Sequence, residues 1–147
     1  MKRFRFRLER VLKLKQQQRR MAELAVKQAT VVLEQAGAVV RGLRGELAKK
    51  SDALSTNVGK TVPAGGCLAL FEQSAQLERR LVQAEAIERE ARNRLANAVG
   101  VLTRMNSEVE ALESLRRQQW REHQTEAQAR YQQVLDEAAL GRWKSDA

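Results

Sequence analysis

The 147-residue chain has one proline, one cysteine and one histidine, and only 4% of it is aromatic. The lone Cys67 excludes a disulfide framework or a cysteine metal cluster within one chain, and fits a reducing cytoplasm. His123 is the lone histidine and has no cysteine near it, so it reads as a solvated helix position. No run approaches the roughly 20 apolar residues that span a bilayer. The N-terminus is basic but alternates charge with Phe and lacks an apolar core, so it is not a secretory signal. There is no phosphate-binding glycine loop and no nucleophile motif. These absences leave no catalytic, metal or cofactor site to propose. The chain reads as a non-enzyme.

What is present is Ala, Glu, Gln, Arg and Leu, the composition of long helices. Two apolar stripes run through it. The first reads Phe4, Leu8, Val11, then Ala22, Ala25, Ala29, Val32, Ala36, Val39, Leu43 and Leu47, with Lys15 and Gln18 filling the gap. The second reads Leu70, Leu77, Leu81, Ala84, Ala91, Leu95, Ala98, Leu102, Met105, Val109 and Leu112. Steps of three and four residues put side chains on one side of a helix and describe a partner-facing seam. Between the stripes, Ser55 to Gly66 contains Pro63, Gly59, Gly65 and Gly66 and does not continue a helix.

The expected fold is all-α: an antiparallel coiled-coil hairpin in a single domain, residues 1–147. The first helix is expected over about 4–55, the loop over about 56–66 and the second helix over about 67–142. In an antiparallel pair, facing residues have position numbers with a constant total. Val11 with Leu112, Ala25 with Ala98, Val32 with Ala91 and Val39 with Ala84 all give 123, while Leu43 with Leu81 and Leu47 with Leu77 give 124. The same register sets Gln18 against Met105 and Lys15 beside Glu108. The two consecutive steps of four at Val39, Leu43 and Leu47 read as a stutter. Gly37, Gly42 and Gly45 mark either a bend or tolerated exposed sites. Gly141 reads as the stop of the second helix.

Beyond Leu112 the apolar phase shifts to Trp120, Ala127, Tyr131, Val134 and Ala138, and Phe4 falls opposite Gln119. The second helix is therefore expected to overhang the first, with Trp120, Tyr131, Val134 and Leu135 unpartnered. An unpaired apolar stripe of this kind is a candidate binding surface. Charge marks the same end. Residues 1–20 carry nine basic groups against Glu9, a net +8 of the chain's +9. The run Arg3-Phe4-Arg5-Phe6-Arg7 has three readings: a nucleic-acid contact, the start of the seam with a solvated basic face, or a basic tip for an acidic protein pore or membrane surface. Phe71, just off the seam, is either a helix-start staple or a partner contact.

The run Phe4-Arg5-Phe6-Arg7-Leu8-Glu9-Arg10-Val11-Leu12 resembles the opening of the FliJ family of bacterial flagellar type III export. Val134-Leu135-Asp136-Glu137-Ala138-Ala139 followed by Arg142 resembles that family's closing motif. The loop region, Leu54 to Gly59 with the later Phe71 and Leu77-Glu78, is also similar, and Trp143 with its short tail departs from the pattern. The resemblance implies a stalk-like coiled coil whose terminal end enters a hexameric export ATPase. Arg3, Arg5, Arg7, Arg10, Trp120, Tyr131, Val134 and Leu135 would make that contact. Phe71 and Leu77 would meet the membrane export gate. It further implies handling of export chaperones, a place at the cytoplasmic face of the inner membrane, no cofactor and no nucleic acid. The alternatives are the equivalent stalk of a virulence secretion system, a basic hairpin that binds nucleic acid, and a purely structural dimerising coiled coil.

Overall fold

The computed structural model describes residues 3–56, 59 and 64–146. Two helices account for nearly all of them: α1, Glu9–Thr56, and α2, Ala64–Asp146. They pack against each other as an antiparallel hairpin, and the described residues contain no strand. Most of the expected loop lies outside the described residues, Pro63 included. Within it Gly59 has φ +84°, a left-handed conformation that costs glycine little and a side chain much more. Ser55 and Thr56 belong to α1, and Ala64, Gly65 and Gly66 to α2, so the helices extend further into this region than expected.

The chain forms two compact units, one from residues 1–21 with 103–147 and one from residues 22–102. In the second unit the seam of α2 is the expected one. Leu77, Ala84 and Ala91 are buried, and Leu70, Leu81, Leu95, Ala98 and Leu102 half-buried. On α1 the expected Ala22, Ala29, Ala36, Leu43 and Leu47 are shielded, while the positions expected at Ala25, Val32 and Val39 are corrected by one residue. Val40 is 2% exposed, whereas its neighbour Val39 is 55% exposed. Likewise Val26 and Leu33 are half-buried, while Ala25 and Val32 face solvent. The shielded positions of α1 become Ala22, Val26, Ala29, Leu33, Ala36, Val40, Leu43, Leu47, Lys50 and Leu54. Each has a shielded counterpart on α2 at a constant total of 124, from Ala22 with Leu102 to Leu54 with Leu70.

This register removes the expected stutter, because steps of four and three now alternate without a break. It also alternates size. Ala22 and Ala29 answer Leu102 and Leu95, and Leu33 and Val40 answer Ala91 and Ala84. Such alternation lets two helices approach closely without voids. The helix runs through Gly37, Gly42 and Gly45. Gly37 is buried, and a Cβ on Gly42 or Gly45 would meet nothing within 4 Å. At the flank, Arg44 pairs with Glu85 at 3.1 Å and the Lys50 amine donates to Gln73 at 2.6 Å.

In the first unit α1 begins at Glu9, later than expected. Residues 3–6 lie outside any helix, with a turn at Arg7 and Leu8. The reason is steric. In a helix Phe4 and Phe6 would point to nearly opposite sides, whereas in an extended segment alternate residues share a face. The Phe6 carbonyl then accepts from the Glu9 N–H at 3.1 Å as the helix starts. At the other end α2 does not stop at Gly141 but continues to Asp146.

Candidate partner-binding surfaces

The arm at residues 3–6 anchors on its aromatic rings. Phe6, Leu12 and Val109 form a buried cluster, with Phe4, Leu8, Leu112 and Leu115 packed around it. The Phe4 ring lies 5.6 Å from the His123 ring, tilted at 57°. His123 is therefore half-buried against an aromatic rather than solvated. Alternating with the rings, Arg3, Arg5 and Arg7 are exposed, as is Arg10 on the first turn of α1. The alternating sequence thus separates its two chemistries, one side packed and the other presented to solvent as guanidinium groups.

Polar pairing fixes this unit's register. The Lys15 amine meets the Glu108 carboxylate at 2.8 Å, as the sequence arithmetic anticipated. The Gln16 amide donates to Glu113 at 3.4 Å, and Arg116 sits 3.5 Å from Glu9. Arg19, not Gln18, takes the shielded position. Its Nε is buried without a hydrogen-bond partner among the described residues, while Gln18 is exposed. Polar residues in an otherwise apolar seam reduce stability and specify alignment.

The expected phase shift at Trp120 does not occur. Leu115, Gln119, His123 and Ala127 continue the shielded side of α2, and Trp120 is 50% exposed. Nor is Trp120 isolated. It lines an open groove with Phe4, Gln16, Glu113, Arg116 and Arg117, so the arm reaches alongside it. In this unit Phe6, Leu12 and Leu115 pack although they lie outside the expected stripes. Leu115 lies three residues after Leu112 and was legible as a continued seam, while Phe6 required knowing that the arm is extended.

From residue 128 to residue 146 every side chain of α2 is exposed. Tyr131 and Val134 are each 61% exposed, with Leu135, Leu140 and Trp143 also on the surface. The polar side of this segment is internally paired at helical spacing, Gln132 to Asp136 and Gln133 to Glu137. Its apolar residues have no such partners to answer.

Near the loop, Phe71 is 61% exposed and Leu68 is 60% exposed. Leu77 is only 6% exposed and sits in the seam. Among the described residues no cluster of His, Cys, Asp or Glu could hold a metal ion, and no helix is long and apolar enough to cross a membrane.

A family model described as Flagellar FliJ protein matches residues 4–146. No curated protein and no solved structure matches the chain.

Proposed function

Because the chain belongs to the flagellar FliJ family and is therefore a flagellar export-related protein, we propose that it acts as the non-enzymatic stalk of the export apparatus. Its terminal end enters a hexameric export ATPase. Arg3, Arg5, Arg7 and Arg10 steer it to acidic groups, and Trp120, Tyr131, Val134 and Leu135 add apolar contact. Exposed Phe71 contacts the membrane export gate, and the hairpin surface also handles export chaperones.

One observation carries this reading. The first unit carries both a row of exposed guanidinium groups beside buried Phe6 and an exposed segment of α2 that bears Tyr131, Val134 and Leu135. Complementary charge raises encounter rate and sets orientation, while buried aromatic and aliphatic anchors supply affinity. A partner needs both features in one site to use this end fully.

The test is binding and stimulation of the purified ATPase. The full chain is expected to bind the hexamer and raise its ATP hydrolysis. Reversing Arg5, Arg7 and Arg10 to Glu should weaken both without changing helicity. Replacing Tyr131, Val134 and Leu135 with Ala should weaken binding by about 1–3 kcal/mol in total. Equal hydrolysis with and without the wild-type chain would rule the stalk role out.

A further inference from the structure

Two adjacent rows on the outer side of α1 in the second unit carry no charge. Leu24, Val31, Ala38 and Gly45 recur every seven residues, and Gln28, Gln35 and Gly42 form the neighbouring row. Val32 and Val39 flank them. All of these are exposed, with Leu24 at 55%, Val31 at 50% and Val39 at 55%. The two rows together repeat at three and four residues, so they describe a second seam on the same helix, turned away from α2. From Leu24 to Gly45 it is about 33 Å long. The outer side of α2 offers no counterpart, being studded with Glu72, Arg79, Arg89 and Glu90.

We infer that this face of α1 docks a second copy of the chain, antiparallel, about a two-fold axis. The occupant follows from self-complementarity. At a total of 66, Leu24 of one copy lies against Gly42 of the other, Gln28 against Ala38, and Val31 against Gln35. This pairs each row with the other row, as an antiparallel seam requires. It sets the bulky half of one helix against the small half of its mate. Gly42 leaves open space where Leu24 would sit, since nothing lies within 4 Å of its Cβ position.

The flanks agree. Within the hairpin, the Arg44–Glu85 pair totals 129, five above its seam total of 124. The same offset applied to 66 gives flanking totals of 71 and 61. At 71, Val32 meets Val39 of the second copy, and at 61, Lys27 meets Glu34, each pair occurring twice by symmetry. Arg41, in the same flanking row as Lys27 and Glu34, has no acidic counterpart in this register, which limits affinity. Eight of the chain's nine net charges lie in residues 1–20, outside this strip.

Sedimentation velocity of the full chain over a range of concentrations tests the inference. A reversible dimer is expected. Gly42→Leu should weaken it about tenfold or more while circular dichroism holds, because the new side chain meets nothing in its own hairpin. Lys27→Glu should weaken it by setting two like-charge pairs, and Lys27→Glu with Glu34→Lys should restore it. A chain that stays monomeric to millimolar concentration overturns the inference and leaves the face to a helix of another protein. A dimer indifferent to Gly42→Leu, or one not rescued by the charge swap, overturns this register.

Discussion

At the residue scale, the decisive pair is Val39 and Val40. They are chemically identical and adjacent, yet Val40 is 2% exposed and Val39 55%. In solution dilute enough to keep the chain monomeric, truncating Val40 to Ala removes buried carbon from a tight seam and should cost about 2 kcal/mol, whereas Val39→Ala should change stability by less than about 0.5 kcal/mol. Urea unfolding of the two variants measures the difference, and equal costs would return the seam to the phase the sequence suggests. That phase was not legible for a physical reason. Val11 and Leu12, Ala25 and Val26, Val32 and Leu33, and Val39 and Val40 are neighbouring apolar pairs, and either member completes a heptad. Only the partner helix chooses between them. On α2 such pairs also occur, as at Leu81 with Val82 and Val101 with Leu102, and there the member the heptad selects, from Leu70 to Leu112, is the shielded one.

At the element scale, the arm and the free part of α2 show how far pattern reading reaches. The hairpin and the exposed stretch with Tyr131, Val134 and Leu135 follow from periodicity and from the different lengths of the stripes. The arm does not, because Arg-Phe-Arg-Phe-Arg satisfies an extended period of two and also the start of a helical seam. Packing of both rings decides the matter. Phe6 is 7% exposed and joins Leu12 and Val109, so Phe6→Ala should cost about 3 kcal/mol and release the arm. The His123 ring resonances, set against Phe4, report the release by NMR. If they keep their shifts in the variant, the arm is held by something other than Phe6. Trp120 must be handled with the arm rather than with the free segment, since it lines the groove beside Phe4. Its truncation disturbs packing as well as any partner contact. Tyr131, Val134 and Leu135 are the cleaner probes of docking.

At the scale of the whole molecule, charge separates the two classes of partner that a basic helical protein can have. Residues 1–20 hold nine of the chain's 27 basic groups and one of its 18 acidic groups. Not all nine are available, because Lys15 is paired with Glu108 and Arg19 is half-buried. Arg3, Arg5, Arg7 and Arg10 are exposed together. If these four neutralised duplex phosphates, the logarithm of affinity would fall against the logarithm of salt with a slope of about −4, whatever happened at Val134 and Leu135. A protein ring behaves differently. Salt should slow its association, since steering acts at long range, while the apolar anchors keep dissociation nearly salt-independent. The expected outcome is therefore a split by rate constant. Arg5→Glu with Arg7→Glu lowers the on-rate for the ATPase, and Val134→Ala with Leu135→Ala raises the off-rate. Surface-based kinetics at several salt concentrations would read both. Tight duplex binding with the phosphate slope, unmoved by the Val134 and Leu135 changes, would instead assign this end to nucleic acid.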